Sequence, residues 1–131
     1  MLLIAQWFYK AGLRSDQTMK ATVSWVDGVS FSAESETGHG VVMDGPADLG
    51  GRNLGPRPME MLLMGMGGCA SFDVLSMLKK GRQDVEGCVA SLDAERADAV
   101  PAVFTKIHLN FKVSGRKLKE AQVKRAVSLS A

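Results

Sequence analysis

The chain has 131 residues, 46% of them apolar and 23% charged, and a net charge of +2. That length suits one domain with a core of its own and is short for two. The charge is too small, and no dense Lys/Arg cluster carries interleaved aromatics, so nucleic acid is not indicated as a partner. Two cysteines, Cys69 and Cys88, fall short of a disulfide scaffold and read as reduced thiols of a cytoplasmic protein.

Residues 2–9 (LLIAQWFY) are apolar but far shorter than the roughly 20 residues that span a bilayer. They lack the basic start and small-residue cleavage site of a signal peptide. No membrane partner is expected. Met19 stands directly before the first convincing strand, so residues 1–18 read as an N-terminal extension, a tag or a mis-started segment, and the domain as residues 19–131.

Residues 21–26 (ATVSWV) alternate loosely and are rich in strand formers. Asp27-Gly28 is a hairpin signal, and residues 29–33 supply the partner strand. Thr37-Gly38-His39-Gly40 reads as a turn before a third short strand at 41–43. Residues 44–58 are rich in Gly and Pro and form a loop longer than most connections. Pro58 then occupies a first-turn position with Glu60 behind it, opening a helix over residues 59–80 that Lys79, Lys80 and Gly81 close. Strands are predicted at 85–92, with Cys88 inside, and at 103–113, where Ile107, Leu109, Phe111 and Val113 alternate with Lys106, His108, Asn110 and Lys112. Ser114-Gly115 turns the chain into a helix over 118–131, with Val123, Ala126, Val127 and Ser130 on one side. The pattern stops without a cap, and the expectation is that the native domain continues beyond Ala131. Strands and helices come in runs, which argues an α+β fold of antiparallel strands with a long central helix.

The long helix carries the chemistry. Its first half is apolar nearly all round, the mark of a buried helix. Gly65, Gly67 and Gly68 each cost about 1 kcal/mol against Ala in a helix interior. Close backbone packing accounts for them; so does a local break that would set Cys69 at a fresh helix start, where backbone N–H groups lower a thiol pKa. Close packing is the simpler account. Asp73, one turn on, is either a neighbour that would raise the thiol pKa or an exposed charge.

Pro58-Met59-Glu60, the Gly-Gly-Cys at 67–69 and the run KKGRQDV at 79–85 resemble the OsmC/Ohr family, most closely its YhfA-like branch. The resemblance covers residues 19–131. It implies an intertwined α+β homodimer with active sites at the subunit interface, and a thiol peroxidase that reduces organic hydroperoxides and is recycled by a dithiol. Cys69 matches the peroxidatic cysteine and is the catalytic candidate; Glu60 is the second. Three features depart from the pattern. The resolving cysteine belongs to a helix near the C-terminus, and residues 118–131 match only its start, while Cys88 lies in a strand. The Glu expected directly after the motif proline is Met59 here. Glu60 is one residue late and roughly 180° round a straight helix from Cys69, so it reaches the thiol only through a kink or from another subunit. The Arg expected in the loop after the first strand is absent from Asp27-Gly28; Arg52 and Arg57 in the long loop are substitutes by charge, against ordinary surface solvation.

The alternative reading is a non-catalytic dimer that binds a small apolar ligand in a Met-lined pocket, for which eight Met residues are suited. His39 and His108 have no ligand-spaced neighbours, so no metal is expected. The glycines at 65–68 do not follow a strand, and no dinucleotide or other cofactor is expected.

Overall fold

The structure is a computed structural model and describes residues 18–130. The extension read at the N-terminus lies, up to residue 17, outside the described residues, as does Ala131. The chain divides into two compact units, one ending at Pro56 and one running from Arg57 onward.

The first unit is an antiparallel meander of β1 (Ala21–Asp27), β2 (Ser30–Ser35) and β3 (Gly40–Met43) in the order β1-β2-β3. The hairpin loop is Gly28–Val29, and Asp27 is already paired with Ser30. Gly28 takes a φ of 51° at the first loop position, where a tight hairpin demands it. A bulge between Trp25 and Asp27 lets the Trp25 indole N–H donate to the Gly28 carbonyl at 3.0 Å. Val23 faces Ala33 and Trp25 faces Phe31, while Phe31 and Ala33 in turn face Met43 and Val41. One face of this sheet is therefore apolar and the other carries Thr22, Ser24, Ser32 and Glu34. Among the described residues of this unit no apolar side chain is buried; Trp25 is 68% exposed.

Its buried residues are instead polar: Ser30 and Asp44. Asp44 organises the Gly/Pro loop. Its Oδ1 accepts the Gly45 N–H at 2.8 Å, and its Oδ2 accepts those of Arg52 (3.1 Å) and Leu54 (3.2 Å). Its own N–H donates to the Pro56 carbonyl, which fastens one end of the loop to the other. Burial pushes the Asp44 carboxyl upward, but the hydrogen bonds from Gly45, Leu54, Ser30 and Arg52 outweigh it and hold the pKa down at about 2.

The second unit holds α1 (Pro58–Lys80), the antiparallel pair β4 (Asp84–Arg96) and β5 (Phe104–Arg116), and α2 (Glu120–Ser130). Both strands are longer than the pattern predicts. Gly115 does not turn the chain: it pairs with Val85 beside a bulge, and a Cβ there would collide with the Asp84 carbonyl. The turn comes later, through Lys117 at φ 50°, and α2 starts at Glu120 rather than 118. The Lys119 N–H donates to the Gln83 side-chain amide oxygen Oε1 at 2.8 Å and so ties the start of α2 to the entry of β4.

Cys88, Ala90, Leu92 and Ala94 pair with Val113, Phe111, Leu109 and Ile107 to make one half-buried face, with Lys106, His108, Asn110 and Lys112 exposed on the other, as the alternation predicts. The core is small. Val74, Leu78 and Ala126 are buried, and Met77, Val85, Phe111, Val113, Val123 and Val127 pack around them. Burying these side chains is what holds α1 and α2 to the hairpin.

Candidate functional site

Helix α1 begins on Pro58, whose fixed φ and missing N–H suit a first-turn position. Glu60 reaches back to accept the Arg57 N–H at 3.2 Å, with the Arg57 guanidinium Nε at 3.9 Å. Arg57 has no side-chain acceptor, so only the returning half of a capping box is made. The helix runs unbroken through Gly65–Gly68 to Lys80. A helix break before Cys69 is therefore excluded, and with it a thiol at a fresh helix start. Nine steps along a straight helix put Glu60 about 13 Å from Cys69 and on the opposite side. Within one chain Glu60 serves the helix start and is not brought to the thiol.

Close packing accounts for one glycine of the three. A Cβ at Gly67 would lie 2.7 Å from Leu92 Cδ1 on β4, whereas at Gly65 and Gly68 it would meet nothing within 4 Å. The buried stripe is Gly67, Ala70, Val74 and Leu78. The Ser71 hydroxyl, beside it, donates to the Gly67 carbonyl at 2.7 Å. The remaining apolar residues of α1 do not form an all-round buried helix in the single chain: Leu62, Met64, Phe72 and Leu75 are exposed, Phe72 by 74%. Asp73 is exposed as well. By length and composition α1 is apolar enough to cross a membrane, but Glu60 and Asp73 interrupt it and its stripe packs on β4 and α2.

Cys69 is a free, exposed thiol on the wall of a cavity of about 470 Å³. Met66 and Ala70 of α1, Ile107 and Leu109 of β5, and Ser130 of α2 complete the lining, none of it charged. The Ser130 hydroxyl donates to the Val127 carbonyl at 2.9 Å, leaving its oxygen as the polar feature of an apolar wall. The sequence pattern puts Ser130 on the packed side of α2, but nothing in it ties that side to the thiol; only the fold does. Cys88 is free and half-buried, and lies four register positions from the Leu92–Leu109 pair, about 13 Å along the strand.

In the first unit Arg52 does stand at the hairpin. Its guanidinium meets Asp27 at 2.6 Å, with both side chains more than half exposed. The missed signal is Asp44, which holds the Arg52 backbone in place through its N–H. Arg57 belongs to the start of α1. His39 is exposed in its turn, with Nδ1 3.1 Å from the Thr37 hydroxyl, and His108 is exposed on β5. Among the described residues no group of three His, Cys, Asp or Glu side chains comes together to hold a metal ion.

A profile of the family described as OsmC-like protein matches residues 50–131. Protein YhfA of Escherichia coli K12 is 50% identical over 113 residues, covering 86% of this chain and 81% of that protein. A hypothetical protein from Aquifex aeolicus VF5 is 26% identical, with a TM-score of 0.74 over 87% of this chain and 79% of its own. An organic hydroperoxide resistance protein from Elizabethkingia anophelis, solved with thiocyanate bound, shares the fold at 18% identity, with a TM-score of 0.64 over 90% of this chain and 86% of its own. The matched segment contains all of α1 with Cys69, the β4–β5 hairpin and α2, and on these findings the chain belongs to the OsmC family.

Proposed function

We propose that this protein reduces organic hydroperoxides through the thiolate of Cys69. The observation that carries the reading is the exposed Cys69 thiol on the wall of an uncharged, apolar cavity, large enough for the organic part of such a substrate. Fold-level kinship to a hydroperoxide resistance protein supports it as analogy. The thiolate attacks one peroxide oxygen; an S–O bond forms as the O–O bond breaks. The alkoxide leaves and takes a proton from water to become the alcohol, and Cys69 becomes a sulfenic acid. A thiol of a dithiol reductant then condenses with it, releasing water, and its second thiol displaces Cys69 by disulfide exchange. Two free thiols suit a reducing, cytoplasmic compartment.

The working form in this reading is a homodimer. Leu62, Met64, Phe72 and Leu75 on α1 and the apolar face of β1–β3 are surfaces that soluble proteins cover. A second copy is the proposed cover, and would also supply the groups, Glu60 among them, that one chain does not bring to its own thiol.

The test adds one equivalent of cumene hydroperoxide to the reduced protein and follows cumyl alcohol by chromatography and Cys69 by mass. One equivalent of alcohol and an oxidised Cys69 peptide are expected. Cys69→Ser removes both and Cys88→Ser leaves both. No alcohol from the unaltered protein overturns the reading.

A further inference from the structure

A second cavity, of about 340 Å³, lies between the C-terminal end of α1 and α2. Its nearest α1 residue, Met77, is eight residues past Cys69, about 12 Å along the helix. Met77, Ala126 and Leu129 give it an apolar wall; Lys80 and Arg125 stand at it as cations, with the Gln122 amide between helices. Neither Lys80 nor Arg125 has an ion-pair partner among the described residues, whereas neighbouring Lys124 and Arg116 are taken by Glu120 and Glu86. The pairing of Asp84 with Arg116 brings two basic segments to this end of the unit, residues 79–86 and 116–125, with eight basic against three acidic residues.

We propose that this cleft binds an amphiphilic anion, its head group on Lys80 and Arg125 and its alkyl chain along Met77 and Leu129. The combination of an apolar wall and two unpaired cations is complementary to that chemistry and to neither an alcohol nor a cation. A helix C-terminus ordinarily repels anions. Here the end carbonyls of Met77, Leu78 and Lys79 are occupied by the N–H groups of Gly81, Gln83 and Arg82. The positive side chains, not free carbonyls, therefore set the local charge. Gly81 is part of the construction. Its φ of −77° needs no glycine, but a Cβ there would lie 2.5 Å from Gln122 Oε1, so glycine lets the Gln122 side chain lie across the helix end.

The probes are dodecanoate and dodecyl phosphate, titrated below their micelle concentrations, and dodecan-1-ol, titrated below its solubility limit, each into the whole ¹⁵N-labelled protein. Either anion should shift the Gly81, Gln122 and Arg125 amides saturably, with a dissociation constant at least tenfold below that of the alcohol. Tighter dodecanoate would assign a fatty-acid head group, and tighter dodecyl phosphate a phospholipid-type one; both support the proposal. Lys80→Ala with Arg125→Ala should weaken anion binding at least fivefold and leave the alcohol unchanged. Equal affinity for anion and alcohol, no effect of the double substitution, or shifts confined to Met66, Ile107 and Leu109 would overturn it. So would absence of binding together with a changed sedimentation coefficient in the double variant, which would make the cleft a contact between copies.

Discussion

The three glycines of α1 permit a sharp test because the structure assigns them different surroundings. Alanine in place of an exposed helix-interior glycine stabilises by about 1 kcal/mol. At Gly68 the new methyl meets nothing within 4 Å, so the whole gain is expected. At Gly67 the methyl would lie 2.7 Å from Leu92 Cδ1, against the roughly 3.5–4.0 Å of a normal carbon contact. Leu92 must withdraw by about 1 Å. Twisting it off its rotamer and shifting its neighbours together cost about 1–3 kcal/mol. Gly67→Ala is therefore expected to range from neutral to about 2 kcal/mol destabilising, and to fall about 1–3 kcal/mol below Gly68→Ala. Urea unfolding followed by circular dichroism at two protein concentrations measures both, with unchanged m-values as the check that only stability moved. Equal stabilisation by the two substitutions would refute the claim that Leu92 is why Gly67 is glycine. A loss at Gly68 that grows on dilution would instead reveal a second copy against that side of the helix.

Asp44→Asn should loosen the loop, because an amide NH₂ would face backbone N–H donors where a carboxylate oxygen stood; faster hydrogen exchange at Gly45, Arg52 and Leu54 measures it. The Asp44 pKa is depressed to about 2 from 3.8, so its stabilisation is complete above pH 4 and is lost as pH falls through about 2. Acid titration of stability should therefore be shallower in the Asn variant across that window, and identical slopes would count against the carboxylate. Leu78→Ala removes three carbons from the buried cluster and should cost about 3–5 kcal/mol, read from the urea midpoint; a cost below 1 kcal/mol would mean the site collapses freely. Phe72→Asp should leave single-chain folding within about 0.5 kcal/mol yet shift sedimentation from the proposed dimer to monomer, because a two-fold interface would lose the residue twice. An unaltered protein that sediments as a monomer refutes the dimer outright.

Periodicity made the β5 alternation, the packed side of α2 and the helix start at Pro58 readable in advance, because each is set by neighbours in sequence. Gly115 is illegible for the opposite reason: a glycine that permits a turn and one that permits close approach of Asp84 look alike until the partner strand is known. Asp44 is not legible, because Asp-Gly-Pro is ordinary turn chemistry, and of its four hydrogen-bond partners only Gly45 is its neighbour; Ser30, Arg52 and Leu54 are brought to it by the fold. Cys69 was legible as a candidate by residue type and motif. The walls of its cavity are not: an apolar pocket is expected to be Met-lined, but Met66 is its one Met, and Ile107, Leu109 and Ser130 come from elements roughly forty to sixty residues away, which pattern reading does not reach. Arg52 shows the same limit, as only the loop's path sets it at Asp27.

Helix α2 borders both cavities: Gln122, Arg125 and Leu129 at one, and Ser130, the residue after Leu129, at the other. Its first turn is held by Gln83, so a displacement has little room to be absorbed along its length. Thermodynamic linkage then applies. If an occupant of one cavity changes affinity at the other by a given factor, an occupant of the second changes affinity at the first by the same factor. Occupancy of the cavity beside Cys69 would in that case be tunable from the cleft at Lys80 and Arg125.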